Sequence, residues 1–206
     1  MRRIAVLLLG LMLAGALAAC HKTVANAGTG DMTLGSPAAK VTVVEYASVA
    51  CPICAKWNNE VFPAFKTKYV DSGKVRYVSR EMLTHDPAVA AAGFLLARCA
   101  GKDKYFQVTD AIYRQQDQMF APGASPRDTL LAIAQKQAGL SEAQFDACVN
   151  DDKAQQALNA RVDTYSKIDK INATPTFVID GKVFDAGFMS LDDMDKAITA
   201  AEAGAK

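Results

Sequence analysis

Two stretches of the chain have the residue pattern of β-strands. Residues 41–46 are β-branched and apolar except for Glu45, which is typical of a buried strand. Residues 74–79 alternate polar and apolar side chains and follow the turn-forming sequence Asp71-Ser72-Gly73. The pattern therefore predicts two strands, one on each side of residues 47–73.

A hairpin is predicted near the C-terminal end of the chain. Residues 176–179 and 182–184 are two short strand-like runs, and Asp180-Gly181 between them is a dipeptide typical of tight hairpin turns. Ser190 follows as a candidate N-cap, and apolar residues then recur on one face of a final helix.

Helical periodicity fills the rest of the chain. Ile53, Trp57 and Val61 recur at helical spacing directly after the first strand, and residues 86–170 form a long helical block that includes the candidate N-cap Ser141. The order is strand, helix, strand, helical block, hairpin and helix. It predicts an α/β fold of thioredoxin type with an inserted helical block at about 86–170.

The N-terminal segment has the pattern of an export signal. Met1-Arg2-Arg3 is basic, residues 4–19 are apolar without a charge, and Cys20 follows small residues. An uncleaved membrane anchor is the alternative, although the apolar run is short for a spanning helix. We predict a signal peptide over 1–19, a flexible tether over 20–36 that is rich in Ala, Gly and Thr, and one domain over 37–206.

Charge and cysteine usage narrow the function classes. The chain has 23 basic and 22 acidic residues, and loss of Arg2 and Arg3 with the signal would leave 21 basic residues. The chain without its signal is therefore near neutral. It has no stripe of basic residues that would indicate nucleic acid binding. Export places the domain in an oxidising compartment, where disulfides persist.

Cys51-Pro52-Ile53-Cys54 is the strongest candidate for chemistry. The motif lies between a predicted strand and a predicted helix, so Cys51 would face the unpaired N–H groups of the helix N-terminus, which favour the thiolate. Cys51 is the predicted nucleophile, and Cys54, one turn further in and less exposed, would attack a mixed disulfide formed at Cys51. A zinc site is the alternative, with Cys99 and Cys148 as the other ligands, but those two lack close spacing; no metal or cofactor is therefore predicted.

Several motifs together resemble the DsbA-like thioredoxin family of exported bacterial disulfide oxidoreductases. They are residues 43–46, Cys51-Pro52-Ile53-Cys54, residues 73–77, residues 97–101 and Thr174-Pro175-Thr176-Phe177. The resemblance covers about residues 36–203. Leu17-Ala18-Ala19-Cys20 separately resembles the bacterial lipobox, which implies a lipid on Cys20.

The resemblance also implies roles for residues outside the cysteine motif. Pro175 corresponds to a cis-proline beside the reactive pair, and because it has no N–H it leaves groups of Thr174 free to pair with a peptide strand. Glu45 corresponds to a buried acid that exchanges a proton with Cys54. A solvent-facing Glu45 at a strand end is the alternative.

Cys99 and Cys148 flank the helical block and could close a disulfide of roughly 50 residues. Matching cysteines are paired in several relatives of the family. The resemblance thus implies a structural disulfide, with a second redox-active site as the alternative.

These features predict a monomeric, periplasm-facing thiol-disulfide oxidoreductase that is attached to a membrane through lipidated Cys20. Its partners would be exported proteins with cysteines and a membrane redox partner. Pro52 and Ile53 stand where the family's strongest oxidants have Pro-His, which predicts a mild oxidant. A reductant fed by a membrane electron donor and a non-enzymatic lipoprotein that binds peptides or metal remain the alternatives.

Overall fold

Five strands form one mixed sheet in this computed structural model, which describes residues 30–204. In chain order they are β1 (Met32–Leu34), β2 (Val41–Ala47), β3 (Val75–Glu81), β4 (Thr176–Ile179) and β5 (Lys182–Val183). Their order in the sheet is β1-β3-β2-β4-β5. Strand β2 pairs with β3 in parallel and with β4 in antiparallel orientation, so it is the central strand.

The central strand is buried on both faces, which explains why its sequence is almost wholly apolar. Val41 and Val43 pack on one face in a core that contains Trp57. Val44 and Tyr46 pack on the opposite face against Tyr165. Because side chains alternate along a strand, Glu45 points to the same face as Val43.

Nine helices surround the sheet in the described part of the chain. They are α1 (Pro52–Glu60), α2 (Phe62–Phe65), α3 (Pro87–Cys99), α4 (Lys102–Arg114), α5 (Gln116–Met119), α6 (Pro126–Ile133), α7 (Glu142–Val149), α8 (Asp152–Ile168) and α9 (Leu191–Gly204). Two π-helical turns, Lys66–Val70 and Ala134–Ala138, extend α2 and α6.

Local sequence signals set the starts of several helices. The Asp86 carboxylate accepts hydrogen bonds from the backbone N–H groups of Ala88 and Val89 at 3.1 and 3.0 Å, which starts α3. Ser141 and Gln144 form a reciprocal capping box at α7. The predicted cap Ser190 accepts from the backbone N–H of Asp193 at 3.2 Å at the start of α9.

Helices α3 to α8 follow β3 and precede β4 in the sequence, and together they form the helical block. They enclose a second core, built around side chains such as Phe94, Tyr105 and Phe145, that reaches the loop carrying Cys51. The predicted α/β fold of thioredoxin type with an inserted helical block is confirmed.

Two predicted boundaries need correction. The tether predicted over residues 20–36 is too long, because Met32–Leu34 forms the edge strand β1, whose Met32 is buried and pairs with Ser79. A side chain at Gly35, which has a φ of +83°, would place its Cβ 2.5 Å from the Val75 carbonyl oxygen, so this turn requires glycine. The second hairpin strand ends at Val183, one residue earlier than predicted.

The predicted signal peptide and Cys20 lie outside the described residues. Within residues 30–204, no helix combines the length and apolar character needed to cross a membrane.

Candidate active site

Cys51 and Cys54 lie at the start of α1, directly after the loop that follows β2. Cys51 is the N-cap residue, and its Sγ accepts a hydrogen bond from the backbone N–H of Cys54 at 3.4 Å. Pro52 occupies the first turn of the helix, where its missing N–H costs no hydrogen bond. The motif therefore fixes the sulfur of Cys51 against the unpaired N–H groups of the helix.

The two thiols have opposite pKa shifts. The pKa of Cys51 is lowered to about 5, chiefly by a hydrogen bond from the Cys54 side chain, and burial opposes this shift. Hydrogen bonds from the Thr174 side chain and from backbone N–H groups contribute to the lowering. Burial raises the pKa of Cys54 well above its usual value, and its hydrogen bond to Cys51 adds to the rise. At neutral pH Cys51 is a thiolate and Cys54 is a thiol, which is the arrangement expected of a nucleophile and its resolving partner.

Neither cysteine is exposed to solvent. The sequence predicted that Cys54 would be less exposed than Cys51, but both residues have 0 % exposure. The residue beside them, Ile53, is 42 % exposed. The thiols differ in the effect of burial, which is the largest influence on the pKa of Cys54, and in their hydrogen bonds and neighbouring charges.

Thr174 lies against Cys51 and precedes Pro175. The peptide bond between Thr174 and Pro175 is cis, and the Sγ of Cys51 is 3.4 Å from the Thr174 carbonyl oxygen. Pro175 is buried, and its carbonyl accepts a hydrogen bond from the backbone N–H of Gly187 at 2.8 Å. Gly187 thereby holds the C-terminal side of this loop.

Glu45 is buried beneath the cysteine pair, with 4 % exposure, rather than facing solvent. Its carboxylate accepts a hydrogen bond from the Tyr77 hydroxyl. Burial raises the pKa of Glu45 to about 8, against the opposing effect of this hydrogen bond, and the charge of Cys51 contributes to the rise. The charge of Glu45 also raises the pKa of Cys54, so the two groups are coupled.

Cys99 and Cys148 lie outside this site. They form a disulfide between the C-terminal end of α3 and α7, with their Cα atoms 5.9 Å apart. The zinc alternative needed these two sulfurs as ligands beside Cys51 and Cys54. No group of three or more His, Cys, Asp or Glu side chains suited to a metal ion occurs within residues 30–204.

Four further polar residues contact the site without being singled out by the sequence. Tyr77 bonds Glu45, and the Gln116 side chain donates to the carbonyl oxygens of Val49 and Cys51 at 2.6 and 3.2 Å. Ser48 and Thr84 lie in the loops that follow β2 and β3, and the Ser48 hydroxyl donates to the Thr84 carbonyl. The Ser48 carbonyl accepts from the backbone N–H of Cys51, and the Thr84 hydroxyl is hydrogen-bonded to that of Thr174. Neither Ser48 nor Thr84 belongs to a motif, so the sequence does not indicate that the two residues meet.

A thiolate and a thiol at a helix N-terminus beside a cis-proline, on a mixed sheet, define a protein of the thioredoxin class. A family model described as Thioredoxin matches residues 27–200. The chain therefore belongs to the thioredoxin family, and the predicted resemblance to its DsbA-like members is confirmed by the relatives that follow.

A putative protein-disulfide oxidoreductase of Rickettsia typhi is 36% identical over 172 residues, which are 83% of this chain and 62% of that protein. The chain thus spans less than two thirds of the length of this relative. The thiol:disulfide interchange protein DsbL of Lelliottia amnigena is 26% identical over 83% of this chain and 84% of its own length. The crystal structure of α-DsbA1 of Wolbachia pipientis superposes with a TM-score of 0.76 at 26% identity, over 89% of this chain and 96% of that one.

Proposed function

We propose that this protein is a thiol-disulfide oxidoreductase that exchanges disulfides with cysteines of exported proteins, and that it acts as a mild oxidant. The observation that carries the proposal is the pair of opposite pKa shifts at Cys51 and Cys54. A low thiolate pKa stabilises the reduced pair, and a protein whose reduced form is stabilised is an oxidant of its clients. The names of the relatives support the same reaction.

The proposed reaction moves two electrons from a client to the protein. A client thiolate attacks the Sγ of Cys51 in the Cys51–Cys54 disulfide, the bond between the two sulfurs breaks, and Cys54 leaves and takes up a proton. A second client thiolate then attacks the client sulfur of the mixed disulfide and releases Cys51 as a thiolate. The client is left with a disulfide and the protein with two reduced cysteines, which a membrane redox partner must reoxidise.

Glu45 and the cis-proline loop have separate proposed roles. Glu45 is protonated below a pH of about 8, so it can supply the proton that Cys54 takes up and recover it during reoxidation. Thr174 and Pro175 would hold the client as an extended strand beside Cys51. Pro52 and Ile53 tune the pair without a cationic side chain between the cysteines, which is the basis for proposing a mild oxidant.

A matched pair of variants tests this function. Cys51→Ser should abolish oxidation of a reduced, unfolded test protein. Cys54→Ser, mixed with a test protein that carries a disulfide, should accumulate a mixed disulfide through Cys51, because no second thiol is present to release it; gels run without reductant show the adduct. A Cys51→Ser protein that no longer exchanges disulfides but keeps the biological activity would instead support a non-enzymatic lipoprotein that binds peptides or metal.

The reduction potential of the Cys51–Cys54 pair decides whether the protein oxidises or reduces its clients. Equilibration with glutathione buffers should place the potential between roughly −120 mV, as for strong oxidants, and roughly −270 mV, as for the reductant thioredoxin. A value at or below the lower figure would contradict the oxidant and support a reductant fed by a membrane electron donor.

We also propose that the protein faces the periplasm as a monomer and is attached to a membrane by a lipid on Cys20. The basic start, the apolar run and Leu17-Ala18-Ala19-Cys20 support this placement. Mass spectrometry of the membrane fraction should find a lipid-modified N-terminal cysteine, and Cys20→Ser should release the mature protein from the membrane. An N-terminus that still carries residues 1–19 would support the uncleaved anchor instead.

A further inference from the structure

Thr84 is held at a fixed place beside the cis-proline loop. Its hydroxyl lies 2.6 Å from the hydroxyl of Thr174. Its carbonyl accepts a hydrogen bond from the Ser48 hydroxyl at 3.0 Å. Ser48 is fully buried, and its carbonyl in turn accepts from the backbone N–H of Cys51 at 3.0 Å. A closed circuit of hydrogen bonds therefore runs from Cys51 through Ser48, Thr84 and Thr174 back to Cys51.

Each hydroxyl in this circuit has a single proton to donate, which limits how the circuit can be arranged. Ser48 uses its proton on the Thr84 carbonyl. The Thr174 side chain also forms a hydrogen bond with the Cys51 sulfur that lowers the pKa of this thiol. Thr174 can therefore give its single proton to Thr84 or to the sulfur, but not to both. When Cys51 is a thiolate, the favourable arrangement has Thr84 donating to Thr174 and Thr174 donating to the sulfur, because hydrogen bonds to a charged acceptor are the stronger ones.

The opposite arrangement suits the protonated thiol. The Cys51 thiol then donates to the Thr174 carbonyl, across the 3.4 Å that separates the two atoms. Thr174 is free to donate its hydroxyl proton to Thr84. The direction of the bond between the two threonines thus follows the charge on the sulfur.

We propose that Thr84 is a positioning residue for disulfide exchange, whose hydroxyl holds Thr174 in the orientation that donates to the Cys51 thiolate. The inference rests on the proposed function and deepens it. Thr84 itself does not contact the reacting sulfur, and its effect passes through Thr174.

Three variants separate the hydroxyl from the bulk of the side chain. Thr84→Val keeps the shape and removes the hydroxyl, Thr84→Ser keeps the hydroxyl, and Thr84→Ala removes both the hydroxyl and the methyl group. Thr164→Val is the matched control, since the Thr164 hydroxyl donates only to the Ala160 carbonyl within α8.

The first readout is the pKa of Cys51, taken from its alkylation rate as a function of pH. Thr84→Val should raise the pKa of Cys51 by roughly half a unit to one unit, because a Thr174 hydroxyl that no longer accepts from Thr84 is a less oriented and less polarised donor to the sulfur. The second readout is the equilibrium with glutathione, which should move by roughly three- to tenfold toward the disulfide form. Thr84→Ser and Thr164→Val should match the unsubstituted protein in both.

Either of two outcomes overturns the inference: a Thr84→Val protein with an unchanged Cys51 pKa, or a Thr84→Ser protein shifted as far as Thr84→Val. Circular dichroism checks folding, and Thr84→Ala carries the same comparison if Thr84→Val does not fold. Failure of the proposed function is distinguishable, because it would appear as no exchange activity in the unsubstituted protein. The alkylation readout still decides the role of Thr84 in that case.

Discussion

Glu45 and Cys51 are two buried groups whose pKa values move in opposite directions. The pKa of Glu45 rises from 4.5 to about 8, and that of Cys51 falls from 9.0 to about 5. In the reduced protein at intermediate pH, the folded state therefore keeps a proton on Glu45 that the unfolded state has lost. Over the same pH range, the folded state has lost the proton of Cys51, whereas the unfolded state still holds it.

These shifts have opposite effects on stability. The raised pKa of Glu45 contributes stability that is present below pH 4.5 and is lost as the pH rises toward 8. The lowered pKa of Cys51 contributes stability that appears as the pH rises from 5 to 9. Between about pH 5 and 8 the two slopes oppose each other.

We predict that Glu45→Gln changes the pH dependence of folding. The free energy of unfolding of the reduced variant should rise with pH between about 5 and 8, because only the Cys51 contribution remains. The reduced unsubstituted protein should vary much less over that range. Denaturant unfolding at a series of pH values measures both.

The oxidised protein is the control for this prediction. Cys51 does not titrate in a disulfide, so the stability of the oxidised unsubstituted protein should fall as the pH rises through the range in which Glu45 ionises. Parallel curves for the reduced protein with and without Glu45 would contradict the buried, protonated acid.

At the scale of single residues, the sequence predicted residues that belong to a motif but did not predict which residues contact them. Cys51, Cys54 and Pro175 could be singled out because each residue type has a distinctive chemistry. Tyr77 was placed in a predicted strand, but its bond to Glu45 depends on the parallel register that sets Val43 opposite Tyr77. Thr84 follows a strand end in a loop without any sequence signal, and only the folded chain brings it to Thr174.

At the scale of elements, Glu81 joins the sheet to the helical block. This residue ends β3 and has a fully buried carboxylate. It accepts hydrogen bonds from Arg98 of α3 at 2.5 Å, from Arg161 of α8 at 3.1 Å and from the Tyr105 hydroxyl of α4 at 3.2 Å. One side chain therefore fixes three helices relative to the strand.

We predict that Glu81→Gln destabilises the domain by about 3–5 kcal/mol, because it leaves two partly buried guanidinium groups without their carboxylate. Denaturant unfolding measures the loss. The control is Lys66→Gln, which removes an exposed ion pair with Asp71 and should cost less than about 1 kcal/mol. Equal losses in the two variants would show that the Glu81 cluster adds little to stability.

The elements with a strong repeating pattern were the ones that the sequence predicted well. Strands β2 and β3 and the hairpin lie within two residues of their predicted ends. A β-branched apolar run marks β2, alternation marks β3, and the Asp180-Gly181 turn marks the hairpin. Strand β1 was missed. It has three residues, which is too short for a period, and it exists because the free edge of β3 is available to pair with it.

At the scale of the whole molecule, the disulfide between Cys99 and Cys148 closes a loop across a sequence separation of 49 residues. A crosslink of this length restricts the unfolded chain and stabilises the folded state by about 4 kcal/mol in chain-entropy terms. We predict that replacing both cysteines with alanine lowers the midpoint of thermal unfolding while exchange activity is retained. Loss of activity at unchanged stability would instead indicate a second redox-active pair.

The same crosslink has a consequence for a chain that has been cut. Residues 121–124 form an exposed loop between α5 and α6, inside the closed loop. A protease that cleaves only there produces two polypeptides, each carrying one of the linked sulfurs. They should migrate as a single band on a denaturing gel without reductant and as two bands with it. The nicked protein is thus still one covalent molecule, and separate bands without reductant would show that the link is open.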